Sequence, residues 1–131
     1  MRVRHKVTVT IDEGSDGKNM LLAPDDVAAE VILDGPQEAN VGRVALAAAA
    51  VFAVPFGSVG DARGVFLKSD GDFDVSVNGG PALQVRRGPS GAAGAKAAVT
   101  KFFFEGTLTS VQITAVETLK LTHAVWGDPL P

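Results

Sequence analysis

Apolar and polar residues exchange places at every step from Arg2 to Asp12, with Val3, His5, Val7, Val9 and Ile11 on odd positions and Arg2, Arg4, Lys6, Thr8, Thr10 and Asp12 on even ones. A period of two is that of a pleated strand with one buried and one wetted face. The pattern returns along the chain. Val65-Phe66-Leu67-Lys68 is followed by the turn Ser69-Asp70-Gly71-Asp72 and by Phe73, Val75 and Val77 alternating with Asp74 and Ser76, which reads as a hairpin. Asn78-Gly79-Gly80 turns the chain into Leu83-Gln84-Val85-Arg86, extending the hairpin into a meander. Towards the carboxyl end, Lys101–Glu105 carries three consecutive phenylalanines, Gly106 interrupts it, and Val111, Ile113 and Ala115 and then Leu119, Leu121, His123 and Val125 again alternate with polar or small residues.

Two segments are less plain. Pro24-Asp25-Asp26 has the chemistry of a first helical turn, yet Val27, Ala29, Val31 and Leu33 alternate, and a strand is expected over 27–33. The run Val44–Phe56 contains four consecutive alanines, the best helix formers. Its large residues Val44, Leu46, Phe52, Val54 and Phe56 nevertheless share one parity, so the run is expected to be a strand. About eight short strands separated by turn residues predict an all-β fold, an antiparallel β-sandwich or jelly roll. The 131 residues suit a single sandwich domain over 1–131, with Gly88–Ala95 as a flexible Gly/Ala-rich loop.

Composition narrows the function. The chain has no cysteine, so disulfides, thiol nucleophiles and thiolate metal sites are excluded. Twelve basic against fifteen acidic residues give a net charge of −3, which supplies no broad positive field for nucleic acid. The longest apolar run, Val44–Phe56, has Pro55 inside it and falls short of the roughly 20 residues of a membrane helix, so no membrane association is expected. There is no G-x-S-x-G nucleophile elbow and no phosphate-binding loop, and the carboxylate pair Asp25-Asp26 has no evident partner. An enzyme is not expected, and no cofactor is implied.

Three constellations remain. His5 and His123 fall in the apolar phase of the first and last strands; were those strands paired, the rings could share a proton or a metal, although structural zinc sites use four ligands. Asp70, Asp72 and Asp74 alternate, but the Gly and Glu of an EF-hand loop are missing, so a hairpin turn with a solvated face is the simpler account and no metal site is assigned. The third set consists of contact residues. Arg2, Arg4 and Lys6 form a basic stripe on the first strand, and Arg86-Arg87 is a second basic pair. Phe102, Phe103 and Phe104 are consecutive, so at least one ring must leave a one-sided core and can meet a partner; Trp126 is the single tryptophan.

Several of these segments resemble small β-structured accessory virion proteins of tailed bacteriophages. The residues that carry the resemblance are Val54-Pro55-Phe56-Gly57, Gly64-Val65-Phe66-Leu67-Lys68, Ser69-Asp70-Gly71-Asp72, Phe73–Gly80 with its Asn-Gly-Gly turn, and Phe103-Phe104-Glu105-Gly106-Thr107 leading to Val111. They span roughly half the chain, which departs from the pattern in its long Gly88–Ala95 stretch. The resemblance implies a non-enzymatic part of the virion, a capsid decoration protein in preference to a tail, baseplate or receptor- and carbohydrate-binding component. It implies a homo-oligomer, with a trimer among the possible assemblies, in contact with major capsid or tail proteins. It brings no catalytic residues.

Overall fold

The structure is a computed structural model that describes residues 3–8, 28–33, 38–89 and 95–131. Among the described residues it is all-β, with ten strands and no helix. Two compact units divide the chain, Met1–Gln37 and Glu38–Pro131. In the first, β1 (Val3–Thr8) pairs antiparallel with β2 (Ala28–Leu33), with His5 opposite Val31 and Lys6 opposite Glu30. The expected strands are therefore present at 3–8 and 28–33. Arg2, the remainder of the first alternating run and the loop after it lie outside the described residues.

The second unit is a sandwich of two four-stranded sheets. Its strands are β3 (Glu38–Leu46), β4 (Val51–Ala53), β5 (Val59–Ser69), β6 (Phe73–Val77), β7 (Leu83–Val85), β8 (Thr100–Leu108), β9 (Val111–Ala115) and β10 (Leu119–Pro129). One sheet has the order β3-β10-β5-β8 and the other β4-β9-β6-β7, and every pairing is antiparallel. Matching places in the two orders hold consecutive strands, β3 with β4, β10 with β9, β5 with β6 and β8 with β7. This winding is that of a jelly roll.

The core fills the space between the sheets, built from the inward parity of each strand. Leu67, Phe73, Val75, Ile113, Leu121 and Val125 are all fully buried or nearly so. Each such side chain contributes roughly 1.5–3 kcal/mol by leaving water. A register shift where β5 pairs with β8, between Ala62 and Gly64, lets both Ala62 and Val65 face inward despite their odd spacing.

Three expectations need correction. Ser69–Asp72 does not close a hairpin between β5 and β6, because these strands belong to opposite sheets, and the turn is a corner. Buried hydroxyls complete the corner's backbone bonding: Thr100 Oγ1 donates to the carbonyl of Gly71 at 3.0 Å, and Ser69 Oγ accepts from the Gly71 N–H at 3.0 Å. The true hairpin joins β6 to β7, with Asn78 and Gly79 at φ 56° and 71° and the Gly80 N–H bonded to the Val77 carbonyl, the geometry of a type I′ turn. Gly106, expected to end a strand, lies within β8.

The run Val44–Phe56 is likewise two strands in different sheets, β3 and β4, joined by the Ala47–Ala50 corner. The four-residue corner preserves parity, so Leu46 and Val54 are buried and Val44, Phe52 and Phe56 pack against the core as their spacing predicts. Ala49 takes the left-handed conformation, φ 69°, while its N–H bonds to the carbonyl of Ala115 at 2.8 Å. A left-handed alanine costs about 1 kcal/mol. Ala49→Gly is therefore expected to raise the unfolding free energy by up to about 1 kcal/mol, less the extra chain entropy of glycine, in urea titrations.

Candidate protein-binding face

Residues directly opposite on neighbouring strands share a face, so the register gives the outer surface of each sheet. On the β4-β9-β6-β7 sheet one outward row is Val51, Thr114, Asp74 and Gln84, and the next contains Ala53, Gln112 and Ser76. That surface is mainly polar. The β3-β10-β5-β8 sheet differs. One outward row runs Val41, Ala124, Phe66 and Phe103 across all four strands, and Val41 is 68% exposed. On one side of it lies the row Ala39, Trp126, Gly64 and Glu105; on the other lies Arg43, Thr122, Lys68 and Lys101.

Of the contact residues read from the sequence, two belong to this face. Phe103 points outward and lies 5.9 Å from Trp126, ring centre to ring centre. Phe102 and Phe104 pack against the core, so one of the three consecutive rings faces out, as alternation requires. Trp126 is outward yet only 6% exposed. Its indole sits over Gly64, where even a Cβ would come within 2.3 Å of the ring.

The basic residues fall elsewhere. Arg4 and Lys6 lie on β1, and Arg2 lies outside the described residues. Arg86 and Arg87 are tied to the sandwich. Arg86 donates to Asp74 Oδ1 and to the Phe73 carbonyl, both at 2.8 Å. Arg87 bonds Glu117 Oε1 at 2.7 Å, while its Nε at 3.3 Å and its backbone N–H at 2.8 Å both reach Asp72 Oδ1. The backbone N–H, then the guanidinium, hold the Asp72 carboxyl below the usual carboxylate range against the opposing effect of burial. These contacts assign the three aspartates separate partners, since Asp70 Oδ1 accepts the Lys120 N–H at 2.8 Å. Among the described residues no cluster of three metal-ligating side chains forms.

His123 faces the interior. It is 4% exposed and its ring lies 5.5 Å from that of Phe52, over Gly42, where a Cβ would approach the imidazole within 2.7 Å. The pairing of its strand with that of His5 does not occur: β10 is flanked by β3 and β5, and β1 pairs with β2. Nδ1 of His123 is buried with no hydrogen-bond partner among the described residues, and desolvation lowers the pKa of the ring. An open groove of about 520 Å³ lies beside the β5 register shift, lined by Phe56, Asp61, Arg63, Thr107 and their neighbours. Its cation is engaged, with Arg63 bonded to Asp128 at 2.9 Å. Among the described residues no helix is long and apolar enough to cross a membrane.

Comparison with known proteins finds no matching family model, no matching curated protein and no matching solved structure.

Two outcomes follow from these contacts. The unfolded chain protonates His123 near its ordinary value of about 6.5, whereas the folded chain resists until lower pH. Stability present above about pH 6.5 is therefore lost as pH falls towards the depressed folded pKa. The slope of unfolding free energy against pH between about 7 and 5 should flatten in His123→Leu. Arg87→Ala leaves Asp72 buried without its guanidinium and should cost about 2 kcal/mol in thermal or urea unfolding.

Proposed function

We propose that this chain is a non-enzymatic structural protein of a tailed-phage virion, a capsid decoration protein working through protein–protein contacts between copies and with the major capsid protein. The observation that carries the reading is the asymmetry of the two sheets. One presents mainly polar residues beside the exposed edge residue Val51; the other presents a transverse row of apolar side chains, half-buried at Ala124, Phe66 and Phe103 and ending at the exposed edge residue Val41. Apolar surface gathered on one face is the mark of a contact surface. The jelly-roll winding is compatible with a shell protein, by analogy of fold alone, since the same fold serves lectins and enzymes. The particle itself enters through the resemblance of the Val54–Gly80 and Phe103–Val111 segments.

A receptor- or carbohydrate-binding module at a tail tip is the alternative. Sugar recognition by stacking would need an accessible ring, and Trp126 is 6% exposed above Gly64. Decoration is preferred on that ground.

The test is co-sedimentation of the purified full chain with particles of its phage, together with light scattering. An oligomer that co-sediments is the expected outcome, and Val41→Glu, a change at a solvent-exposed position, should reduce binding roughly tenfold or more while leaving unfolding nearly unchanged. A monomer that fails to co-sediment overturns the proposal.

A further inference from the structure

We propose that the basic end of the β3-β10-β5-β8 face docks an acidic protein surface. Register gathers its cations: Arg43, Thr122, Lys68 and Lys101 form one transverse row, and Lys120 lies two residues from Thr122 on the same side of β10. All four cations are exposed, and none makes an ion pair with a described residue. Lys68 and Lys101 are directly opposite on adjacent strands. Like charges in that relation oppose strand pairing. The core beneath gains nothing from them, because Leu67 and Phe102, the neighbouring pair, supply the inward packing. The nearby acid Asp70 is engaged through Oδ1 with the Lys120 backbone N–H. A chain of net charge −3 thus concentrates unpaired positive charge at one end of one face.

The neighbouring row decides which anion fits. Two residues along the strands, about 7 Å away, lie Val41, Ala124 and Phe66. A matching partner offers carboxylates beside apolar side chains, which a protein surface does. A phosphodiester backbone offers charge without the apolar row, and the net negative charge of the chain repels a long polyanion. The inference deepens the proposed function by naming the face and the chemistry it meets, and rests on that reading for the partner's place in a particle.

The experiment measures binding of the full chain, by fluorescence anisotropy, to a labelled peptide of Glu-Glu-Leu-Leu repeats, to oligoglutamate and to single-stranded oligothymidylate of equal charge. The mixed peptide is expected to bind most tightly, and Lys68→Gln/Lys101→Gln to weaken it roughly tenfold or more while raising the midpoint of thermal unfolding, because repulsion across the strands is removed. A merely solubilising role would raise the midpoint without changing binding, and that result overturns the proposal. So does oligothymidylate binding as tightly as the mixed peptide, or the absence of peptide binding. Co-sedimentation of the double variant separates this proposal from the particle reading. Particles that retain the double variant overturn the docking role of this face and leave the particle reading standing. Peptide binding that depends on Lys68 and Lys101, in a chain that does not co-sediment, supports the docking face and overturns the particle reading.

Discussion

β10 is hydrogen-bonded along both edges, to β3 in an unbroken register from Leu119 opposite Leu46 to Gly127 opposite Glu38, and to β5 with shifts at Trp126/Gly127 and Asp128/Pro129. It follows β3 and β5 at long sequence separation, so its sheet closes only when this later segment returns to lie between two strands formed much earlier in the sequence. Its inward side chains Leu119, Leu121, His123 and Val125 are all buried, and its outward residues Thr122, Ala124 and Trp126 each form the link between β3 and β5 in a transverse row. The core and the external face therefore depend on one strand. Displacing it would uncover the interior and scatter the outward rows together.

The two ring-bearing residues of β10 obey a common steric rule. Trp126 on the outside is opposite Gly64 of β5, and His123 on the inside is opposite Gly42 of β3; in each case the ring occupies the place of the missing side chain. A ring laid over a glycine recovers packing that a bare strand position would lose. On the outside this lowers the exposure of a large apolar group and turns Trp126 into part of the scaffold. On the inside it places a titratable group where burial disfavours its charged form and no described donor or acceptor reaches Nδ1. The same packing device has a steric consequence on one face and an electrostatic one on the other.

Parity was legible in the sequence, and sheet membership was not. Leu119–Val125, Val111–Ala115 and Phe73–Val77 disclose their inward residues because a period of two is a local property of the strand. Whether Ser69–Asp72 folds β6 back onto β5 or carries it across to the other sheet depends on distant residues, Thr100 on β8 and Arg87 beyond β7, which complete the corner's bonding. The polar, Gly-containing chemistry of such a segment is common to both outcomes. The Ala47–Ala50 corner was hidden for a related reason: with four residues it leaves the alternation in phase, so nothing in the spacing marks the change of sheet. The outward placement of Phe103 could be anticipated because three consecutive rings cannot all face one way. The glycine beneath the Trp126 indole lies on another strand, 62 positions earlier in the chain.

The basic residues show the same limit in sharper form. Adjacent in sequence, Arg86 and Arg87 look like a surface pair, yet each reaches an aspartate of the β6 region, and Arg87 spans to Glu117 after β9. Their charge is largely consumed in joining segments of the sandwich. Arg43, Lys68 and Lys101 are isolated in sequence, each on a different strand, and look like ordinary solubilising residues. Pairing register alone aligns them. A charge next to its opposite contributes to the fold; charges aligned with their like oppose it, and folding gives no reason to place Lys68 across from Lys101 when the neutral Thr122 occupies the same row. That unfavourable alignment adjoins the apolar row on the sheet whose far counterpart is polar. Both departures from what stability alone would select, the exposed Val41 at the end of an apolar row and the alignment of like charges, meet on one face, where a single complementary surface would relieve them together.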